Sequence, residues 1–137
     1  MKNEIINIGA DVGGSHIGIG LVNEKGRILF KTSFNYPQKA NADYIANEIA
    51  KYIIMLNNKS VEYNKIPAEH IGIGIPGIID SSKGIIEMSP NIPQFKHFNI
   101  ADAIEKKLQK NKIKKQVFNF IFLKFFFNCI RNIKMFE

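Results

Sequence analysis

Hydrophobic residues alternate with small or polar ones three times in the first third of the chain. The pattern predicts strands from Glu4 to Ala10, Ile17 to Val22 and Ile28 to Phe34. In the last of these Ile28, Phe30, Thr32 and Phe34 take one face and Leu29, Lys31 and Ser33 the other. Asp11, Gly13 and Gly14 fall in the first turn, and Asn23 to Gly26 form the second, where Lys25-Gly26 suits a tight hairpin. A β-meander is therefore expected at the start. From Ala42 the period becomes helical, with Ala42, Ile45, Ala46, Ile49, Ile53 and Leu56 on one stripe. Asn41 is placed to cap this helix and Asn57-Asn58 to stop it.

After a polar connector containing Pro67, alternation resumes from His70 to Ile75, with Ile71, Ile73 and Ile75 on one face and Gly72 and Gly74 on the other. Backbone can be approached closely on that glycine face. Pro76-Gly77 turns the chain, Asp80 to Gly84 makes a second polar turn, Ile85 to Met88 reads as a short strand, and Pro90-Asn91-Ile92-Pro93 as an irregular loop. Asn99 caps a second helix with Ile100, Ala103, Ile104 and Leu108 inward. Beyond Lys110 neither period is clean, and seven of the 11 Phe residues crowd between Phe118 and Phe136. The predicted division is a domain over residues 1–110 and a basic, Phe-rich tail over 111–137, aberrant or poorly ordered.

Composition narrows the classes. The chain has 137 residues, enough for one domain or one piece of a larger one. With 45% hydrophobic and 23% charged residues, wholesale disorder is excluded for the body. Cys129 is the single cysteine, which excludes an intrachain disulfide framework and a cysteine-rich zinc site and fits a reducing compartment. No signal-peptide pattern opens the chain, so a cytoplasmic location is expected. The net charge of +7 invites a nucleic-acid reading, but six of the basic residues lie from Lys112 onward against one acid, and the body is nearly balanced. No specific nucleic-acid partner is expected. Nor is a membrane, since the stretch from Val117 to Ile130 is too short to span one and is broken by Asn119, Lys124 and Asn128.

The sharpest local feature is Asp11-Val12-Gly13-Gly14-Ser15-His16 between two strands. A carboxylate at a strand end can hold a hydrated Mg²⁺, and a glycine pair lets backbone N–H groups approach phosphate oxygens without an intervening Cβ. Ser15 adds a hydroxyl donor. A tight hairpin needing positive φ would use the same residues. The second feature runs from Gly72 to Asp80 and is followed by Gly84 and by Pro90-Asn91-Ile92-Pro93. A small ligand held between the two glycine clusters could be bound by backbone at Gly77 and by the Asn91 amide. Asp80 also fits a turn residue capping Ser81 and Ser82. His16, His70 and His97 are widely spaced and lack the carboxylate or cysteine pattern of a metal site, and Tyr44, Tyr52 and Tyr63 read as packing residues.

Three runs, IGADVGGSHIGIGLVNEKGRIL, IGIGIPGIID-x3-GII and SPNIP, occur in that order, and together they closely resemble the N-terminal part of the ROK family of repressors, open reading frames and kinases. The resemblance covers roughly residues 4 to 109. It implies an α/β fold of the actin-like ATPase (ribonuclease H-like) kind, a mixed β-sheet with flanking helices, and ATP-dependent phosphoryl transfer to a hexose or amino sugar. By the same resemblance Asp11 matches the metal-facing aspartate that would hold Mg²⁺ through water. Gly13, Gly14 and Ser15 match the ATP phosphate loop, while Gly77 and Asn91 match sugar-site positions. His16 stands where the family often has Lys. The resemblance leaves room for homo-oligomers in the full-length family.

Several family parts have no counterpart here. The E-N-D-A-N-like run that supplies the general base is replaced by Lys114-Lys115-Gln116-Val117-Phe118-Asn119-Phe120-Ile121-Phe122. The second phosphate loop, the zinc-binding His and Cys cluster and the C-terminal domain are also unmatched. The expectation is a truncated kinase with no catalytic base of its own and no activity alone. A frame change or premature stop in an AT-rich gene accounts for a tail of Phe, Lys, Asn and Ile. Two alternatives stand beside it: a sugar-responsive regulator of the same family, or a subunit completed by a separately encoded second half. In each case the first hairpin bend must lie beside the Pro76-Gly77 corner.

Overall fold

The computed structural model describes residues 4–80, 82–115 and 117–120. Strands β1 (Ile6–Val12), β2 (His16–Asn23) and β3 (Ile28–Asn35) form the expected antiparallel meander. Helix α1 (Ala42–Asn64) follows and returns the chain to β4 (Ile71–Gly74), which lies parallel to β1. A small hairpin of β5 (Ile78–Asp80) and β6 (Ile85–Met88) comes next, then one turn of 3-10 helix at Pro93–Phe95, helix α2 (Ile100–Lys110) and β7 (Val117–Phe120). The main sheet has the order β3-β2-β1-β4-β7, with β7 parallel to β4.

Strand pairing explains the burial. Ile8 sits opposite Leu21 and Ile71, and Ala10 opposite Ile19 and Ile73, so these aliphatic residues share one face. They join a single core with Ile45, Ile49, Ile53 and Leu56 of α1 and Ile104 and Leu108 of α2. The other face carries glycine in register: Gly9 faces Gly20 and Gly72 across the two neighbouring strands.

Several boundaries differ from those read in the sequence. The first strand begins two residues later and continues through Val12, which places Asp11 inside β1 and leaves the turn to residues 13–15. Helix α1 runs past Asn57-Asn58, and the Asn57 side chain accepts the Ala68 N–H at 3.1 Å. The helix stops instead at Lys65, in the left-handed conformation with φ 62°. Strand β5, the 3-10 turn and β7 were missed. The first two are three residues each, too short for a period to show, and β7 sits in the Phe-rich segment where no period is clean. Tyr52 packs on Phe34 with ring centroids 4.1 Å apart, whereas Tyr44 and Tyr63 are exposed. The remainder of the predicted tail, residues 121–137 with Cys129, lies outside the described residues.

Candidate functional site

The β1–β2 bend is the centre of the site. Asp11 is the last polar residue of β1 and is 7% exposed. Its neighbours across the sheet are Gly18 on β2 and Gly74 on β4. In the bend itself the Gly13 N–H donates to the His16 carbonyl at 2.8 Å and closes the hairpin. The Gly13 amide is thus engaged within the hairpin. Among the described residues the Gly14 and Ser15 amides have no protein acceptor. His16 Nδ1 lies 2.8 Å from the Asn35 side-chain oxygen, so that ring is held against β3.

The second and third motifs come to the same end of the sheet. Gly77 has φ +136°, and a Cβ there would lie 2.1 Å from the Met88 carbonyl oxygen, so glycine is required where the Pro76-Gly77 corner meets the end of β6. Ser89, 2% exposed, fastens the corner from the other side by donating its hydroxyl to the Pro76 carbonyl at 2.6 Å. Two residues on, Asn91 meets the first bend, where a Cβ on Gly14 would sit 3.0 Å from its carbonyl oxygen. The segment from Met88 to Asn91 therefore bridges the Pro-Gly corner and the glycine bend. Gly14 of the bend thus lies against Asn91, and Gly77 against Met88 and Ser89 of the same segment.

Asp80 does not join them through its carboxylate, which accepts the Ser82 N–H at 3.0 Å and the Ser82 hydroxyl at 2.6 Å. Those bonds hold the carboxyl below its ordinary pKa and are those of a turn residue. A broad groove lined by α2 and Asp43 of α1 holds none of the motif residues, and four of its five charged residues pair: Lys106 lies 2.9 Å from Asp102 and Lys107 3.4 Å from Asp43.

Two contributors were not singled out in the sequence. Ser89 stood within the SPNIP run, and Tyr36 continues the Phe30, Thr32, Phe34 alternation by one step, which was the available signal. The donor set is one carboxylate with amides and a hydroxyl beside it. Such a set suits a cation held through water and phosphate oxygens rather than a full protein cage.

Comparison with known proteins accords with this geometry. The ROK family pattern matches residues 7–117. Over 103 residues the chain is 32% identical to a glucokinase of Thermotoga maritima, a span covering 75% of this chain and 31% of that protein. Among solved structures, a ROK hexokinase from Thermus thermophilus superposes with a TM-score of 0.64 at 26% identity, covering 85% of this chain and 35% of the other. A ROK family glucokinase from Streptomyces griseus, solved in complex with glucose and AMPPNP, gives a TM-score of 0.61 at 27% identity, with coverages of 83% and 32%. The chain spans about a third of the length of the relatives it matches.

Proposed function

The chain belongs to the ROK family, and from that membership we propose that these residues form the phosphate-gripping and sugar-facing part of an ATP-dependent sugar kinase. The observation that carries the reading is the meeting of the glycine bend with Asn91 at the end of β1, beside a carboxylate flanked by glycines. In this reading the Gly14 and Ser15 amides and the Ser15 hydroxyl take phosphate oxygens. Asp11 would hold Mg²⁺ through water, and the bound ion would supply neutralisation of the charge on the terminal phosphates. Gly77 and Asn91 face the hexose or amino sugar.

Catalysis by these 137 residues alone is not part of the proposal. At the place of the family's E-N-D-A-N-like run the chain carries β7, Val117–Phe120, followed by Ile121 and Phe122. A missing general base slows such a reaction about 10²- to 10⁴-fold, and phosphoryl transfer depends further on a complete nucleotide clamp. The expected behaviour is therefore phosphate binding without sugar turnover.

Titration of the isotope-labelled chain with Mg²⁺ and ATP tests this directly. Amide resonances of Gly14 and Ser15 should move, and Asp11→Asn should remove the Mg²⁺ dependence of the affinity. Shifts confined to other parts of the chain would sink the reading. With glucose added, no glucose 6-phosphate should form; clear turnover abolished by Asp11→Ala would overturn the inactivity.

A further inference from the structure

Tyr36 follows β3 directly and is 4% exposed. Both of its donors reach the glycine bend. The backbone N–H donates to the Ser15 carbonyl at 3.1 Å, and the phenolic hydroxyl donates to the Gly13 carbonyl at 2.5 Å. A peptide unit is planar and trans, so the Gly13 C=O and the Gly14 N–H leave the same plane in opposite directions. Holding the Gly13 oxygen toward Tyr36 therefore turns the Gly14 N–H away from it. The His16 carbonyl is engaged in turn by the Gly13 N–H at 2.8 Å. The carbonyls of Gly13, Ser15 and His16 are thus all bonded within the protein. That withdraws partial negative charge from the side on which an anion would approach and leaves the Gly14 N–H there, as in an anion-binding nest. Burial raises the Tyr36 pKa above its ordinary value, so the hydroxyl remains a donor at neutral pH.

We infer that Tyr36 is a positioning residue for the bend: its hydroxyl fixes the direction of the Gly14 amide so that the bend presents N–H groups to a polyphosphate chain. The inference rests on the phosphate-binding reading of that bend. Tyr36 touches the Gly13 carbonyl and acts through it.

The test is Tyr36→Phe, which keeps the ring and the backbone bond to Ser15 and removes only the hydroxyl. The full chain is titrated with Mg-ATP and separately with inorganic tripolyphosphate. Affinity for both should fall about tenfold, the scale of one net hydrogen bond. Without ligand, the Gly14 amide resonance should move while those of α2 stay. Ile45→Val, which loosens the core away from the bend, should keep wild-type affinity. Unchanged affinity in Tyr36→Phe, a loss for ATP but not tripolyphosphate, or an equal loss in Ile45→Val overturns the positioning role and leaves the phosphate reading standing. A wild-type chain in which neither titrant moves Gly14 or Ser15 overturns the reading itself, and the role of Tyr36 with it.

Discussion

Gly14 and Asn91, far apart in sequence, approach so closely that a Cβ on the glycine would lie 3.0 Å from the Asn91 carbonyl oxygen and 3.6 Å from the Asn91 Cβ. Through Ser89 the contact extends to Pro76, so three separate segments become one ridge beside the C-terminal ends of β1 and β4. Ligands of open α/β sheets bind in crevices outside the carboxyl ends of parallel strands. Topology thus points to the same place as the residue chemistry.

Gly77 should tolerate substitution far worse than Gly26, although both have positive φ. A Cβ on Gly77 would lie 2.1 Å from the Met88 oxygen, while nothing stands within 4 Å of one on Gly26. Gly26→Ala should cost about 1–2 kcal/mol from backbone conformation alone. Gly77→Ala adds a clash with main chain that cannot rotate away, for about 3–4 kcal/mol in all. Urea unfolding midpoints at unchanged m-value measure both. Equal losses would show that the corner yields.

Ser89→Ala should destabilise by about 0.5–1.5 kcal/mol, because the bond from the buried Ser89 hydroxyl to the carbonyl of the exposed Pro76 is lost. The same unfolding measurement applies. A neutral result would mean that the corner is held by Gly77 packing alone.

The framework was legible because it rests on long periodic signals. The meander, the helix stripe from Ala42 to Leu56 and the Asn41 and Asn99 caps all follow from side-chain period and local hydrogen bonding, and each cap accepts an N–H as anticipated, from Tyr44 at 2.7 Å and from Asp102 at 3.0 Å. What stayed hidden depends on tertiary contact. Asn57 is drawn to the Ala68 N–H while α1 continues to Asn64, and β5 has too few residues to express a period. In the site, residue types named the glycine bend, but the consumption of the Gly13 amide by His16 and the reach of Tyr36 to Gly13 depend on how β3 lies beside β2.

Asn99 does two things that substitution can separate. Its Oδ1 accepts the Asp102 N–H at 3.0 Å, and its Nδ2 donates to the Lys83 carbonyl at 3.0 Å. Asn99→Asp keeps the cap and loses the donor, while Asn99→Ala loses both. Alanine should cost about 1–2 kcal/mol, and aspartate should fall between it and the wild type. Helix content and urea midpoints check the order; aspartate as damaging as alanine would make the Lys83 bond the dominant one.

The Asp80 carboxyl should titrate below its ordinary value, and Ser82→Ala should raise it, since the Ser82 hydroxyl is the largest cause of the depression. A depressed folded value means that this group's contribution is present above the ordinary carboxylate pKa and is lost as pH falls through the folded one. The carboxyl is exposed, so the effect belongs to its own titration, read from its ¹³C shift against pH. An unmoved midpoint in Ser82→Ala would reject the turn role.

Tyr36 predicts the opposite dependence at alkaline pH. Burial raises its pKa, so the folded chain keeps the phenolic proton to higher pH than the unfolded chain does. Between the ordinary tyrosine value of about 10 and the raised folded value, the unfolded state binds fewer protons, and the free energy of unfolding falls as pH rises. Below that range the contribution is fully present. Other tyrosines and the lysines titrate in wild type and in Tyr36→Phe alike, so the difference between the two isolates this hydroxyl. Urea midpoints at about pH 8 and about pH 11 should show the stability advantage of wild type shrinking at the higher value. An advantage constant across that interval would mean that the hydroxyl donated to Gly13 is not protected from solvent, and the bend would then lack the fixed anchor assigned to it.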